Sequence, residues 1–132
     1  MNDRVELIAK NVVHCAYLVH KKLGPGLLER IYEVCLCYEL EKLGYNVKRQ
    51  VEIPITYDDI TFNEGFRLDV LVNDEILIEI KAVEKINPVW KAQVITYLKL
   101  TDLGVGFLIN FNVPLIKEGI TRLINKTHFR QL

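Results

Sequence analysis

The chain has 132 residues, of which 50% are hydrophobic and 26% are charged, a composition that predicts one globular domain over residues 1–132 with a single core. Acidic and basic residues balance at 17 each, so the formal net charge is zero. This balance argues mildly against strong non-specific binding to nucleic acid, which depends on a positive field, although it leaves room for a local basic patch.

Targeting signals and membrane spans are not predicted. No apolar run approaches the roughly 20 residues that a membrane-spanning helix needs, and the N-terminal residues mix acidic and basic side chains without an apolar block. The three cysteines, Cys15, Cys35 and Cys37, are odd in number and lack C-x-x-C spacing. We interpret them as reduced thiols and expect a cytoplasmic protein without a membrane partner.

Two helices are predicted in the first third of the chain. Residues 4–22 carry apolar side chains at helical spacing, namely Val5, Ile8, Val12, Cys15 or Ala16, and Val19. The sequence L-G-P-G at 23–26 ends this helix, because glycine adopts left-handed φ and proline cannot continue the hydrogen-bond ladder. A second helix is predicted from about Leu27 to Leu43, with Gly44 as its C-terminal stop.

Alternating apolar residues predict strands from Val47 onwards. One face of the first strand carries Val47, Val51, Ile53, Ile55 and Tyr57, and Pro54 favours an edge position. Further strands are predicted at 65–72 and 76–83, and a buried strand at 104–111. Between the last two, Asn87 and Pro88 predict the start of a helix that runs to about Leu100, and a final short element is predicted over roughly 115–125.

The hairpin at 66–83, FRLDVLVNDEILIEIKAV, carries charged residues inside an otherwise apolar stretch. Glu79 and Lys81 lie two apart on one strand, so both point to the same side. The position of Asp69 depends on the turn. A three-residue loop at 73–75 places Asp69 opposite Glu79, whereas a two-residue turn places Ile78 opposite it unless a bulge intervenes.

In the first of these registers two carboxylates lie within a few ångströms of each other beside a lysine. Like charges at that distance raise each other's pKa unless a cation lies between them, and oxygen ligands suit Mg²⁺ or Mn²⁺. Such an ion can orient and acidify a water for attack on a phosphodiester, while the lysine positions that water or offsets charge on the phosphate. The alternative is a solvated strand face with a weak ion pair.

The spacing D-x₉-E-x-K of Asp69, Glu79 and Lys81 resembles the core motif of the PD-(D/E)XK nuclease superfamily, with Leu68 in the place of the proline. That resemblance implies an α/β fold of restriction-endonuclease-like type, in which a central mixed β-sheet is flanked by α-helices. It also implies a metal-dependent nuclease.

Two flanking motifs narrow the resemblance. Residues 26–32 match G-x-x-E-x-x-Y and residues 93–97 match Q-x-x-x-Y. With all motifs in this order, the chain is similar over about residues 5–125 to the GxxExxY protein family. That resemblance implies a nuclease-like fold.

The flanking motifs offer further candidate residues. Gln93 and Tyr97 share one helical face and either contact phosphate and support the lysine strand, or pack in the core and bond to the backbone. Glu29 either assists as a third metal ligand or accepts a hydrogen bond near the metal, or is a first-turn glutamate favoured by the helix dipole. Tyr32 follows Glu29 by three residues, and His20 is placed where it can approach Glu29, although a lone helical histidine is more often structural.

Two functional hypotheses follow from these residues. In the first, the protein is a Mg²⁺- or Mn²⁺-dependent phosphodiesterase acting on nucleic acid, with DNA as the expected substrate. Asp69 and Glu79 hold the metal and Lys81 orients the attacking water. Because the chain is too short for a separate DNA-reading domain, a homo-oligomer or a protein partner is expected. In the second, the chain is a nuclease-derived module that binds nucleic acid or a protein without cutting.

Overall fold

The computed structural model of the protein describes residues 2–130, and its elements follow the predicted order. Their bounds are α1 Asp3–Leu23, α2 Glu29–Lys42, β1 Val47–Tyr57, β2 Ile60–Val72, β3 Ile76–Lys81, α3 Val89–Thr101, β4 Val105–Asn110, a 3₁₀ turn Ile116–Glu118, β5 Ile120–Ile124 and α4 Lys126–Arg130. The predicted final element is therefore a short turn followed by a strand. No helix in the described part of the chain has the length and apolarity needed to cross a bilayer.

The five strands form one sheet in the order β1-β2-β3-β4-β5. Only β3 and β4 run parallel, and the other neighbouring pairs are antiparallel. The parallel pair requires a crossover, which α3 supplies. β1 lies at an edge, and its pairing with β2 is irregular at Pro54, which has no N–H to donate. The predicted α/β architecture with a central mixed sheet is confirmed.

Helices cover both faces of the sheet. On one face α1 and α2 pack with side chains such as Leu36 against Ile78 and Phe107. On the other, α3 contributes Val94 and Leu98, which pack with Leu77 and Leu108. Because β3 and β4 are covered on both sides, their residues are apolar almost without alternation. A charged side chain on β3 is therefore an exception that needs its own explanation.

The register of the β2–β3 hairpin matches the three-residue loop. Val72 pairs with Ile76 and Val70 pairs with Ile78, so residues 73–75 form the loop. Glu75 N donates a hydrogen bond of 2.9 Å to Val72 O, and Asn73 and Asp74 adopt left-handed φ values of 51° and 54°. Asparagine and aspartate tolerate this conformation better than other non-glycine residues. This turn chemistry sets the register that brings Asp69 level with Glu79.

The strands β1 and β2 exchange faces of the sheet part of the way along their length. Val47 packs on the side of α1 and α2, whereas Val51 packs on the side of α3. The change falls at Gln50, whose φ of 52° is left-handed and interrupts the alternation of an extended strand. The expectation that Val47 and Val51 share one face is therefore wrong, because period-two spacing assumes a strand without such a kink.

A buried carboxylate on α2 holds this kink. Glu33, which is 4% exposed, accepts hydrogen bonds from Arg49 Nε at 2.9 Å and from Gln50 Nε2 at 2.8 Å, and Arg49 Nη2 lies 2.7 Å from the same carboxylate. The paired residues on either side place Gln50 level with Asp69 on β2. The network thus anchors β1 to α2 at the point where the β2 side chains become charged.

Asn110 at the end of β4 fixes the chain that leaves β3. Its Oδ1 accepts hydrogen bonds from Val83 N at 3.0 Å and Asn112 N at 3.2 Å, and its Nδ2 donates to Val83 O at 2.9 Å. Asn110 is buried and pairs with Lys81 in the parallel ladder. The side chain of Asn110 therefore satisfies main-chain groups of Val83, two residues after Lys81, and of Asn112, in the segment after β4.

Asn110→Ala is expected to destabilise the fold by about 2–3 kcal/mol, because it leaves buried backbone donors and an acceptor without partners. Urea unfolding followed by circular dichroism measures this loss. Asn63→Ala, at an exposed asparagine on β2, is the matched control and should change the free energy of unfolding by less than about 0.5 kcal/mol. Equal effects of the two substitutions would show that the Asn110 bridge does not hold the strand end.

Candidate active site

The candidate site lies where β2 and β3 stop pairing. The ladder between these strands extends from Val72 to Val70 on β2. At the next position side-chain carboxylates replace main-chain carbonyls as hydrogen-bond acceptors. Asp69 Oδ2 accepts a hydrogen bond of 2.9 Å from Ile80 N, and Glu79 Oε1 accepts one of 3.2 Å from Asp69 N. Each carboxylate thus satisfies a main-chain donor of the opposite strand, and the two acidic side chains lie side by side in the split.

The electrostatics of this pair are unfavourable without a cation. Glu79 is only 5% exposed, and burial, followed by the charge of Asp69, raises the pKa of Glu79 to about 8. The hydrogen bond from Asp69 N and the charge of Lys81 act in the opposite direction without compensating. At neutral pH the metal-free pair therefore retains a proton, and a divalent cation would replace it.

Glu29 approaches the pair from α2. It is the first residue of that helix, where the helix dipole favours a carboxylate. Partial burial and then the charge of Asp69 raise the pKa of Glu29, while the charge of Lys81 lowers it. Glu29, Asp69 and Lys81 are thus close enough to influence one another, although they come from three different elements.

Tyr32 fastens the loop that leads to Glu29. Its hydroxyl donates a hydrogen bond of 2.6 Å to Gly24 O and accepts one of 3.1 Å from Leu27 N. Its ring is fully buried and stacks on Phe111 at 4.7 Å. Since nothing of the side chain is exposed, the support that Tyr32 gives is to the position of the helix start and not to a substrate.

His20 has a similar structural contact. Its Nε2 lies 2.7 Å from Val113 O, in the segment after β4, and the side chain is 9% exposed. The contact thus ties the end of α1 to that segment. This contact agrees with the structural role expected for a lone helical histidine, and the described residues show no contact between His20 and Glu29.

Lys81 points toward α3 and not into an ion pair. Its Nζ lies 4.3 Å from the ring centroid of Trp90, in the first turn of α3. Within residues 2–130 it has no carboxylate oxygen within salt-bridge distance. Sequence reasoning missed Trp90. Its position in the sequence could have indicated it, because Trp90, the only tryptophan of the chain, precedes the candidate residue Gln93 by one helical turn.

Tyr97 borders the site on the side of α3. Its ring stacks on Phe66 of β2, with centroids 4.3 Å apart and an interplanar angle of 11°. Burial, followed by the charges of Glu79 and Asp69, raises the pKa of Tyr97, which places its hydroxyl within electrostatic reach of both carboxylates. Gln93 lies one turn earlier on the same helix and is half-buried, and its amide forms no hydrogen bond with any residue between 2 and 130.

The donor set fits a hard divalent cation. Mg²⁺ is commonly held by one or two carboxylates and keeps several waters, which is what Asp69 and Glu79 provide. Within the described residues no three His, Cys, Asp or Glu side chains lie close enough to form a metal site by themselves. The structure therefore does not group Glu29 with the pair as a ligand set, and its role as a third ligand stays a prediction.

The fold and this site define a nuclease-like α/β protein, and the comparison with protein families agrees. A family model described as PD-(D/E)XK nuclease superfamily matches residues 6–123. The chain belongs to this superfamily. No curated protein and no solved structure matches it. Nucleases of this superfamily generally use divalent metal ions, and membership supports a nuclease-like function.

Glu79→Gln is expected to remove a pH-dependent loss of stability in metal-free buffer. Because the folded-state pKa of Glu79 lies at about 8, above the ordinary value of 4.5, its favourable contribution is complete below pH 4.5 and is lost as pH rises to about 8. The Tm of the parent should therefore fall relative to Glu79→Gln across this interval, by at least ~3 °C. Thermal unfolding in EDTA measures the difference.

Glu64→Gln, at an exposed glutamate of β2, is the control for this titration. Its Tm should run parallel to that of the parent at every pH. If the difference between the parent and Glu79→Gln is also independent of pH, the carboxyl pair is not electrostatically coupled in the way that its burial indicates.

Proposed function

We propose that this protein is a divalent-metal-dependent nuclease that hydrolyses phosphodiester bonds in nucleic acid, with DNA as the expected substrate. The observation that carries the proposal is the side-by-side pair of Asp69 and Glu79 in the split of the sheet. Two carboxylates side by side, one buried and one half-buried, are costly, and the two main-chain hydrogen bonds that they accept do not require two charged groups. A bound cation offsets that cost and gives the pair a chemical role.

The metal would be Mg²⁺ or Mn²⁺, held by Asp69 and Glu79. A cation bound there would supply Lewis-acid chemistry for hydrolysis of the phosphodiester. Glu29 would complete the ligand set or accept a hydrogen bond from a ligating water. The two strands hold the pair rigidly, because each carboxylate also accepts a main-chain hydrogen bond.

Lys81 would act on the reacting phosphate. Its ammonium has three N–H donors, and none of them is engaged by a carboxylate among the described residues. It can donate to the attacking water and offset negative charge as it develops on the phosphoryl oxygens. Gln93 and Tyr97, whose amide and phenol lie on the same face of α3, would donate hydrogen bonds to the substrate phosphate or help to orient Lys81.

The charge distribution of the β1–β2 arm supports a second candidate function, in which the protein binds a partner without cutting it. The arm formed by residues 50–68 carries Glu52, Asp58, Asp59 and Glu64 against one cation, Arg67. This acidic ribbon is not a track for a phosphate backbone. The second candidate function is a module that binds nucleic acid or a protein without cutting it, and the acidic arm favours the protein as the partner.

Three further proposals concern the chain as a whole. We place it in the GxxExxY group of the superfamily, because Tyr32 of that motif holds the loop before Glu29, and we regard residues 1–132 as one domain. The three cysteines are free thiols, which supports a cytoplasmic location. A homo-oligomer or a protein partner would supply a surface for recognising DNA.

Lys81→Met should lower nuclease turnover by on the order of 10²–10³ with little change in substrate affinity, because the lost charge acts mainly in the transition state. Methionine keeps the apolar stem, so the fold should survive.

Asp69→Ala should abolish metal binding and cleavage together. The assay uses single- and double-stranded DNA and RNA with Mg²⁺ or Mn²⁺, and Lys10→Met, at an exposed lysine of α1, is the control.

Cleavage by Lys81→Met at the parental rate would remove Lys81 from the mechanism. If the parent cleaves none of these substrates with either metal but retains them in a binding assay, the binding-module function replaces the nuclease.

A further inference from the structure

The ammonium of Lys81 rests on the face of the only tryptophan in the chain. Lys81 Nζ is 4.3 Å from the centroid of the Trp90 ring, well within the ~6 Å at which the ring quadrupole attracts a cation. Both side chains are half-buried, so solvent screens the attraction less than at an exposed site. The contact therefore confines the ammonium to one place beside the carboxyl pair.

The backbone holds Trp90 in this position. Asn87 Oδ1 accepts a hydrogen bond of 3.0 Å from Val89 N, and Asn87 O accepts one of 3.0 Å from Trp90 N. These bonds tie Asn87 to the start of α3 and fix the direction of its first turn. Trp90 also packs against the apolar cluster that α3 shares with Leu77 and Leu108. The ring is anchored on the helix and not on a loose loop.

A cation–π contact leaves Lys81 in a different chemical state from an ion pair. An ammonium bonded to Asp69 or Glu79 would compete with the metal for the same oxygens and would hold its N–H donors away from a substrate. The indole face attracts the charge without taking those donors. The ammonium is thus held near the carboxylates, yet its hydrogen-bonding capacity stays available for water or phosphate.

We propose that Trp90 is a positioning residue for Lys81: its indole face keeps the ammonium out of the carboxylate pair and aimed at the reacting phosphate. This role rests on the proposed nuclease function. Trp90 itself touches neither the metal nor the substrate, and it acts only through Lys81.

The first test observes the contact directly and needs no activity. In a ¹H–¹³C spectrum the ε-methylene group of Lys81 should lie upfield of those of the lysines other than Lys42, which lies over the Tyr38 ring, because the indole ring current shields protons above its face. Lys81→Met assigns the signal by its disappearance. Trp90→Leu should return it to the position of the other lysines, and Trp90→Phe should keep part of the displacement. An undisplaced Lys81 signal in the parent overturns the proposal.

The second test separates positioning from packing by kinetics on a DNA oligonucleotide with Mn²⁺. Trp90→Leu should lower kcat by roughly tenfold, the order expected for loss of a cation–π contact, with KM changed by less than about twofold. Trp90→Phe, which restores an aromatic face, should recover most of the rate. In the Lys81→Met background, Trp90→Leu should cause no further loss, since the two residues act as one unit.

Tyr38→Leu is the matched control. It removes a second cation–π contact, in which Lys42 Nζ lies 5.1 Å from the Tyr38 ring, remote from the site along α2. Its kcat should equal that of the parent. A normal kcat in a folded Trp90→Leu protein, or a further loss from Trp90→Leu in the Lys81→Met background, overturns the positioning role. A parent that shows the upfield signal but cleaves nothing overturns the nuclease and this role with it, while the contact itself stands.

Discussion

The reciprocal hydrogen bonding of Asp69 and Glu79 across the split between β2 and β3 is the constraint on which the site depends. The two carboxylates accept main-chain hydrogen bonds where the ladder ends, so the strands can diverge without leaving those donors unpaired. The divergence opens space for chemistry within an otherwise continuous sheet. It also confines two acidic groups at short range, and burial, followed by the charge of Asp69, raises the pKa of Glu79 to about 8.

Neighbouring elements stabilise this split from several directions. On one side Glu33 binds Arg49 and Gln50 and holds β1 in the kink that lies level with Asp69. On the far side Asn110 holds the chain just after Lys81. Tyr32 fixes the loop before Glu29. None of these three networks supplies a reacting group, and each determines where one will lie.

Much of this arrangement was predictable from local sequence signals. The sequence predicted a turn at Asn73 and Asp74, which tolerate left-handed φ, and left two registers open; the structure has the three-residue loop that brings Asp69 level with Glu79. The charges of Glu79 and Lys81 stood out because the rest of β3 is apolar. These predictions succeeded because each depends on a few neighbouring residues whose conformational preferences are strong.

The missed features all depend on long-range contacts. The kink at Gln50 is held by Glu33, 17 residues earlier in the chain, and no strand periodicity reveals it. The contact of Lys81 with Trp90 arises because α3 crosses back over the sheet. β2 begins at Ile60 instead of at about residue 65, since pairing with β1 extends the arm beyond its apolar part. In each case tertiary structure overrides the local pattern.

The central claim is that Asp69 and Glu79 together bind a divalent cation. Anomalous diffraction from crystals soaked in millimolar Mn²⁺ tests it most directly, because manganese is located without reference to any assumed activity. We expect one strong anomalous peak between the carboxylates of Asp69 and Glu79, and no such peak in crystals of Asp69→Asn. A parent crystal without a peak at this position, or with manganese only elsewhere on the surface, would contradict it.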